Sequence, residues 1–400
     1  MRSNAALTRL VLFFSTLLLP ALGYAYEPQE HDSINNDSVV ASGHEGNPAQ
    51  GEHGEAAKYD PGKMIMEHIS DAHDWHLWGH THIPLPVILK TDKGFEFFLS
   101  SRFHDNESGV YKGAHYSYKL EENKIEVWDE TLNAPKEEAA HHLYDFSITK
   151  NVVTLFIVVT LLMIVFMNIA KAYKRRPGQA PKGMQSFFEP IIIFVRDDLA
   201  KPALGHKYEK FMPYLLTVFF FIWFSNMLGL IPFFPGGANF TGNITITAAL
   251  ALLTFIITTI NGNGHYWRHI FAMPGVPAFV LIILTPIEIL GMFLRPFVLM
   301  IRLFANISAG HIIALAFYSL IFIFGKGGES VGTGLGVSVV SILFTVFMFA
   351  MELLVAFLQA YVFTLLSAIY FGSAVEDHHH DPAEDFDGKP NAHHPATINA

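Results

Sequence analysis

The sequence contains no cysteine and few charged residues. Charged side chains make up 16% of the 400 residues, against about 25% in an average soluble domain. The absence of cysteine excludes disulfide bonds, thiolate zinc sites and cysteine nucleophiles. The formal net charge of −10 argues against nucleic-acid binding, which normally requires a basic surface. Apolar side chains are abundant instead, at 51% of the chain with 36 Phe, which favours a membrane bundle with appendages over soluble domains.

Charge is distributed unevenly along the chain. Residues 26–147 carry 23 acidic against 9 basic side chains, and residues 376–400 carry 6 acids against 1 base. Residues 211–260 carry no charged side chain at all, and residues 276–375 carry only six. Two acidic, solvated ends therefore flank an apolar body that is predicted to lie in a lipid bilayer.

The first 145 residues are predicted to form an external extension. Residues 1–25 have a basic start, a short apolar run and a small-residue cleavage site, which is typical of a signal peptide. The alternative is an uncleaved first membrane helix. Residues 26–57 contain few large apolar side chains and are predicted to be a disordered acidic linker. Residues 58–145 contain short β-type runs between glycines, which predict a small α+β or β extension in the periplasm.

The extension is also rich in histidine. A metal site would make the chain a periplasmic metal binder on a membrane anchor. Because the spacing of the histidines matches no recognised zinc motif, we predict that no metal is bound and that these side chains are solvated or packed. The histidines concerned are His68, His73, His76, His80 and His82.

Five apolar runs predict an all-α polytopic body with five membrane crossings. The runs are 148–170, 212–231, 244–260, 276–324 and 331–371. The last two are each too long for one perpendicular crossing. Each of them therefore either breaks into two spans or pairs with the other in a long tilted helical hairpin.

The orientation of the body follows from the loop after the first crossing. Residues 171–210 carry nine Lys and Arg, which places this loop in the cytoplasm by the positive-inside rule. Within it, residues 184–199 mix apolar clusters with charges and predict an interfacial helix. The membrane domain, taken as residues 146–375, is then followed by a cytoplasmic, acidic, His-rich tail at residues 376–400.

Ionisable side chains at membrane depth are costly and usually functional. In the first long segment Glu288, Arg295 and Arg302 recur every seven residues. They therefore share one face of a helix, and Asn306 joins that face one turn later. The small residues at 308–310 that follow permit the close approach of another helix.

The second long segment carries a matching pair, Glu352 and Gln359. In an antiparallel hairpin one register places Arg302 level with Gln359 and His311 level with Glu352. A histidine and a glutamate at one level can form a proton relay that titrates near neutral pH. Arg302 has no acid at its own level, and Glu288 lies about 21 Å away along the helix. We expect the carboxylate that compensates the charge of Arg302 to belong to another subunit.

Two segments resemble the signatures of a known family. Leu299-Met-Ile-Arg302-Leu-Phe-Ala-Asn306-Ile-Ser-Ala-Gly310-His311 is similar to the first signature of subunit a of rotary F-type ATP synthases, and Leu358-Gln359-Ala-Tyr-Val-Phe to the second. Asn226-Met-Leu-Gly-Leu-Ile-Pro232 and Asn243-Ile-Thr-Ile-Thr-Ala-Ala-Leu support the match. The resemblance covers about residues 145–376 and does not extend to the N-terminal extension.

The resemblance implies a role for Arg302. This arginine would face the ring of c subunits, force the c-subunit carboxylate to release its proton, and block a leak between two offset half-channels. Gln359 would lie beside it, and Asn306 one turn further on. The chain would be a non-catalytic, proton-channel subunit that needs no cofactor. Its partners would be the c ring, the peripheral-stalk b subunits, the other ATP synthase subunits and the bilayer of the bacterial inner membrane.

The resemblance also implies the two half-channels. His311 and Glu352 match the pair on the inlet side, and some family members carry the acid and the histidine in the opposite order. Glu288 matches a glutamate on the exit side, with Arg295 beside it. The ion is expected to be H⁺, with Na⁺ as the alternative. From the residues alone a proton-coupled secondary transporter is a further alternative, although no internal repeat is visible.

Overall fold

The computed structural model describes most of the chain from residue 62 onward. It covers residues 62, 65–66, 69–78, 81–105, 108–121, 123–129, 132, 134–136, 143–231, 236–273, 275–324 and 331–376. The predicted signal peptide and acidic linker lie outside the described residues, as does the predicted C-terminal tail beyond Glu376.

The described residues of the extension form short antiparallel strands in three sheets. Its strands are β1 (Asp74–Trp78), β2 (Thr81–Pro84), β3 (Pro86–Thr91), β4 (Gly94–Leu99), β5 (Val110–Lys112), β6 (Ser117–Glu121), β7 (Lys124–Asp129), β8 (Ala134–Pro135) and β9 (Tyr144–Asp145). The sheets are the hairpin β1-β2, the sheet β4-β3-β9 and the sheet β5-β6-β7-β8. Val87 and Leu89 alternate along β3 and pack on Tyr118 and Val127, because every second side chain of a strand points to one face. The prediction of a small α+β or β extension is confirmed.

In the residues that the structure describes, seven helices of eight or more residues follow the extension. They are α1 (Lys150–Arg175), α2 (Met184–Phe194), α3 (Tyr208–Gly229), α4 (Ile244–Asn261), α5 (Gly264–Phe271), α6 (Ala278–Phe324) and α7 (Val331–Val375). In the part of the chain that is described, five helical stretches are long and apolar enough to cross a membrane. Four of them lie in α1, α4, α6 and α7, and the fifth is the stretch Met184–Gly229, which contains α2 and α3. The predicted five crossings and the all-α body are therefore confirmed.

A hydrogen-bond network joins the extension to the N-terminal end of α1. The Ile148 amide donates to the Pro86 carbonyl at 3.0 Å, and the Lys150 amide donates to Ala72 at 2.8 Å. Asp71 accepts from the Asn151 amide at 3.0 Å, which satisfies one of the unpaired donors in the first turn of a helix. The extension is thus continuous with the first membrane helix.

The predicted interfacial helix extends further than expected. After α2 the chain continues through a π-helical turn, Val195–Ala200, and a short helical turn, Lys201–Leu204. Leu199 and Ala200 are buried against the membrane helices. A Cβ built on Gly372 of α7 would come within 2.0 Å of the Ala203 carbonyl oxygen. The absence of a side chain at Gly372 is therefore what lets α7 reach this turn.

The two long segments form unbroken helices that pair as a hairpin. α6 has 47 residues, which corresponds to about 70 Å, more than twice the hydrocarbon thickness. Near the turn the Ser341 hydroxyl donates to the Phe317 carbonyl, and Phe317 stacks on Phe344 with ring centres 5.1 Å apart. Of the two alternatives open from the sequence, the structure has the long hairpin, which fits a bilayer only when it is tilted.

Candidate functional site

The middle of the α6–α7 hairpin holds Arg302, Asn306 and Gln359. Asn306 Nδ2 donates to Gln359 Oε1 at 2.9 Å, and Gln359 is 3% exposed. The Gln359 side chain therefore bonds to a residue one helical turn from Arg302. This contact holds α6 and α7 together beside the arginine.

Arg302 itself lies on the exposed face of α6. Among the described residues no Asp or Glu oxygen lies within 4.0 Å of its guanidinium. Large apolar side chains surround it on the same helix, including Val298 and Ile301, which are 43% and 37% exposed. Arg302 is therefore a charge on an apolar surface at membrane depth.

His311 and Glu352 lie at the next level towards the hairpin turn. Glu352 Oε1 and Cγ would be 2.9 and 3.1 Å from a Cβ built on Gly310. His311 follows directly in sequence, and its Nε2 would be 3.9 Å from a Cβ built on Gly229 of α3. The two side chains therefore share one level, with Glu352 in the α6–α7 contact and His311 towards α3.

Sequence reasoning missed the polar groups that pack behind this pair. Asn226 of α3 donates to the Ala356 carbonyl at 3.3 Å and accepts from the Thr241 hydroxyl. Ser308 donates to the Gly242 carbonyl at 3.2 Å. Thr241 and Gly242 belong to the connection between α3 and α4, where no helical or strand period marks a buried position. Asn226 begins the family motif Asn226–Pro232, which is the one sequence feature that could have pointed to these polar groups.

A second polar group lies on the other side of Arg302, towards the start of α6. The Arg295 guanidinium carbon is 5.8 Å from the ring centre of Tyr370 in α7. Tyr266 of α5 lies within electrostatic range of both Arg295 and Glu288. A narrow cavity adjoins this group, and its lining includes Thr254, Thr258, Tyr266, Arg295 and Tyr370. The two tyrosines were missed, because aromatic side chains are unremarkable in apolar helices.

Three described histidines of the extension pair with a carboxylate or stack on another histidine. His73 Nε2 lies 2.9 Å from Asp145 Oδ2, and His104 Nε2 lies 2.7 Å from Asp74 Oδ2. His82 stacks on His104 with ring centres 5.3 Å apart. Within the described ranges no three His, Asp or Glu side chains gather in a way that could hold a metal ion. His68 and His80 lie outside the described residues.

Comparison with known proteins identifies two regions. Residues 152–372 match the family described as ATP synthase A chain, and residues 64–146 match a domain of unknown function (DUF8433).

The relatives that this chain resembles include three from different bacteria. "ATP synthase subunit a" of Chloroherpeton thalassium is 41% identical over 255 residues, which is 62% of this chain and 72% of the relative. "ATP synthase subunit a 2" of Chlorobaculum tepidum is 46% identical over 237 residues, 58% of this chain and 64% of the relative. "ATP synthase subunit a" of Myxococcus xanthus is 41% identical over 245 residues, which is 59% of this chain and 76% of the relative. The resemblance seen in the signatures is thereby confirmed, and the chain belongs to the subunit a family of F-type ATP synthases.

Proposed function

We propose that this chain provides two offset proton half-channels at its interface with a ring of c subunits, with Arg302 between them. As a member of its family the chain is a multipass membrane subunit of the proton-translocating Fo sector and works with other ATP synthase subunits. It carries out no catalysis alone in this proposal and needs no cofactor. The family assignment favours this function over the proton-coupled transporter.

The observation that carries the proposal is the exposed Arg302. A charged side chain at the bilayer centre costs several kcal/mol or more unless it meets a partner or water. Because the described part of the chain offers Arg302 no carboxylate within 4.0 Å, a neighbouring subunit is the natural source of one. A membrane carboxylate of the c ring that passes this face would be ionised next to Arg302, because a nearby positive charge favours the charged form.

The two polar groups on either side of Arg302 support the offset half-channels. His311 lies nine residues towards the hairpin turn, about 13 Å along the helix, and Glu288 lies about 21 Å in the other direction. His311 and Glu352 would deliver protons on one side, and Glu288 and Arg295 would lead them out on the other. Protons could pass between the two sides only when they are bound to the carboxylates of the rotating c ring, because the charge of Arg302 repels free protons.

The orientation of the chain in the inner membrane completes the proposal. The basic loop at 171–210 places the start of α6 near the cytoplasm and the α6–α7 turn near the periplasm. The inlet group of His311 and Glu352 then opens towards the periplasm, on the same side as the extension, and the C-terminus is cytoplasmic. The c ring would cover the Arg302 face, and the peripheral-stalk b subunits would bind elsewhere on the bundle.

Replacing Arg302 by Ala tests the proposal directly. The Arg302→Ala complex should assemble but lose proton-driven ATP synthesis, because nothing then forces the c-subunit carboxylate to release its proton. The measurement is ATP synthesis in membrane vesicles, normalised to the amount of purified complex. Arg176→Ala removes an exposed arginine just after α1 and should leave synthesis intact. Normal synthesis in the Arg302→Ala complex would overturn the assignment.

A further inference from the structure

The connection between α3 and α4 contains a short buried segment, residues 238–242. Ala238, Phe240 and Thr241 are 1%, 2% and 1% exposed, and Asn239 is 6% exposed. Connections normally run over the surface, since a buried loop must satisfy its backbone polar groups. This one is inserted between helices, and we call it the buried loop.

The buried loop lies at the level of His311 and Glu352. The Ala238 carbonyl oxygen would be 3.0 Å from a Cβ built on Gly229, the same point that lies 3.9 Å from His311 Nε2. Thr241 donates to Asn226 of α3, and Gly242 accepts from Ser308 of α6. The loop is thus held in place beside the inlet pair.

Within this loop the Asn239 side chain has no protein partner for either of its amide atoms. Both Nδ2 and Oδ1 are buried and make no hydrogen bond in the described part of the chain. The amide rests on Gly242, where a built Cβ would come within 2.1 Å of it. Glu352 Oε1 and Ser225 Oγ are likewise buried and unbonded within the described residues. Within the described residues, Asn239, Glu352 and Ser225 thus each keep at least one buried polar atom without a hydrogen bond.

Such groups are costly in a membrane. A buried amide without a hydrogen bond destabilises the fold in a medium that offers no partner. Leu or Val at position 239 would avoid that cost. Water is the smallest group that can both accept from Nδ2 and donate to Oδ1, and buried waters typically satisfy such groups.

We propose that Asn239 holds a bound water molecule next to His311 and Glu352 and positions it to hand protons to that pair. Asn239 neither gains nor loses a proton in this role. The water accepts a proton from the periplasmic side and releases another towards the pair, so that charge and atoms balance. The inference rests on the proposed function, since it concerns the inlet half-channel, and it makes Asn239 a positioning residue.

The test compares Asn239→Leu with Asn239→Ser in the intact complex. Leu fills the site and offers no hydrogen bond, whereas Ser still donates and accepts and leaves room for a second water. We expect Asn239→Leu to lower the proton flux through vesicles stripped of the catalytic sector about tenfold, equivalent to about 1.4 kcal/mol of barrier. Asn239→Ser should keep most of the flux. The infrared O–H band of a weakly bonded water should be present in the wild type and in Asn239→Ser, and absent in Asn239→Leu.

Asn243→Ala is the matched control. Asn243 lies four residues on and caps α4 by accepting from the Thr245 amide at 3.0 Å. Its loss weakens the start of α4 but leaves the water site, so the flux per assembled complex should be unchanged. If Asn239→Leu fails to assemble, Asn239→Ala removes the amide without adding bulk and should show the same loss of flux and of the water band.

Three outcomes would overturn the inference. They are an unchanged flux in Asn239→Leu, an equal loss in Asn239→Ser and Asn239→Leu, or an equal loss in the Asn243→Ala control. Each of these can occur while Arg302→Ala still abolishes synthesis, so that the proposed function survives. Synthesis that persists in Arg302→Ala would instead remove the proposed function and leave the water site to be judged by its infrared band alone.

Discussion

At the scale of single residues, two glycines in α6 differ in what a side chain would meet. A Cβ at Gly310 would lie 2.9 Å from Glu352 Oε1 and 3.1 Å from its Cγ, whereas a Cβ at Gly291 would meet nothing within 4 Å. Contacts below about 3 Å require something to move, and overpacking of a tight contact costs about 1–3 kcal/mol. The absence of a side chain at Gly310 thus leaves the space that the Glu352 carboxylate occupies.

Gly310→Ala should therefore lower ATP synthesis per complex about fivefold, which corresponds to about 1 kcal/mol of misplacement. Glu352→Asp, whose side chain is shorter by one methylene, should recover part of this loss when it is combined with Gly310→Ala, because residues in contact are coupled. Gly291→Ala gains the same helix propensity without the contact and should behave as the wild type. Strictly additive losses for Gly310→Ala and Glu352→Asp would show that the two positions do not interact.

At the scale of elements, the junction between the extension and α1 depends on the pair of His73 and Asp145. Burial alone would raise the pKa of Asp145. The hydrogen bond and charge of His73, together with the Ser147 side chain and amide, outweigh burial and hold the pKa below its ordinary 3.8. A carboxylate whose pKa is lowered by folding stabilises the fold above its unfolded pKa, and this contribution is lost as the pH falls through the lowered value.

The contribution of Asp145 to the junction should accordingly persist as the pH is lowered to about 4 and should be lost below that, where Asp145 becomes protonated. Hydrogen exchange of the amides at 144–151 in the intact complex measures this opening. Asp145→Asn should loosen the same amides at neutral pH, by about 1.5–3 kcal/mol for a lost charged hydrogen bond. Asp105→Asn, in an exposed pair with Arg102 at 3.4 Å, should have no such effect. Equal protection of these amides from hydrogen exchange in the wild type and in Asp145→Asn would show that the His73–Asp145 pair does not stabilise the junction.

At the scale of the whole molecule, the extension and the membrane body have separate cores. Val87, Leu89 and Tyr118 pack among residues of the extension, whereas Phe219 and Phe220 pack within the helices. The two parts meet at the short hydrogen-bonded junction at the N-terminal end of α1. Because the residues proposed to move protons all lie in the body, we expect the extension to support the body rather than to take part in the proton path.

Deletion of residues 26–140 should therefore reduce the amount of assembled complex, because α1 loses its partners Asp71 and Ala72, but should leave ATP synthesis per assembled complex close to wild type. Purified complex and synthesis in vesicles are measured together, with Arg302→Ala as the inactive reference. A loss of synthesis per complex as large as that of Arg302→Ala would show that the extension takes part in proton transfer.

Much of this architecture follows from the sequence alone. The apolar runs are long enough to specify five crossings, since only helices or closed barrels satisfy the backbone in lipid. The basic loop predicts the orientation, and the seven-residue spacing of Glu288, Arg295 and Arg302 places them on one helix face whatever their surroundings, because helical geometry is local. The signatures around Arg302 and Gln359 sufficed to indicate the family, which the comparisons confirm.

Only the tertiary structure decided what faces these residues. Four features depend on contacts between segments far apart in the chain. The helices α6 and α7 stay unbroken, Gln359 reaches Asn306, Gly310 leaves room for Glu352, and the loop that carries Asn239 is buried. No local periodicity marks such contacts, because loops carry none and close packing depends on both partners. The sequence by itself determined which charges enter the membrane, and the packing of the helices determined which of them have a partner there.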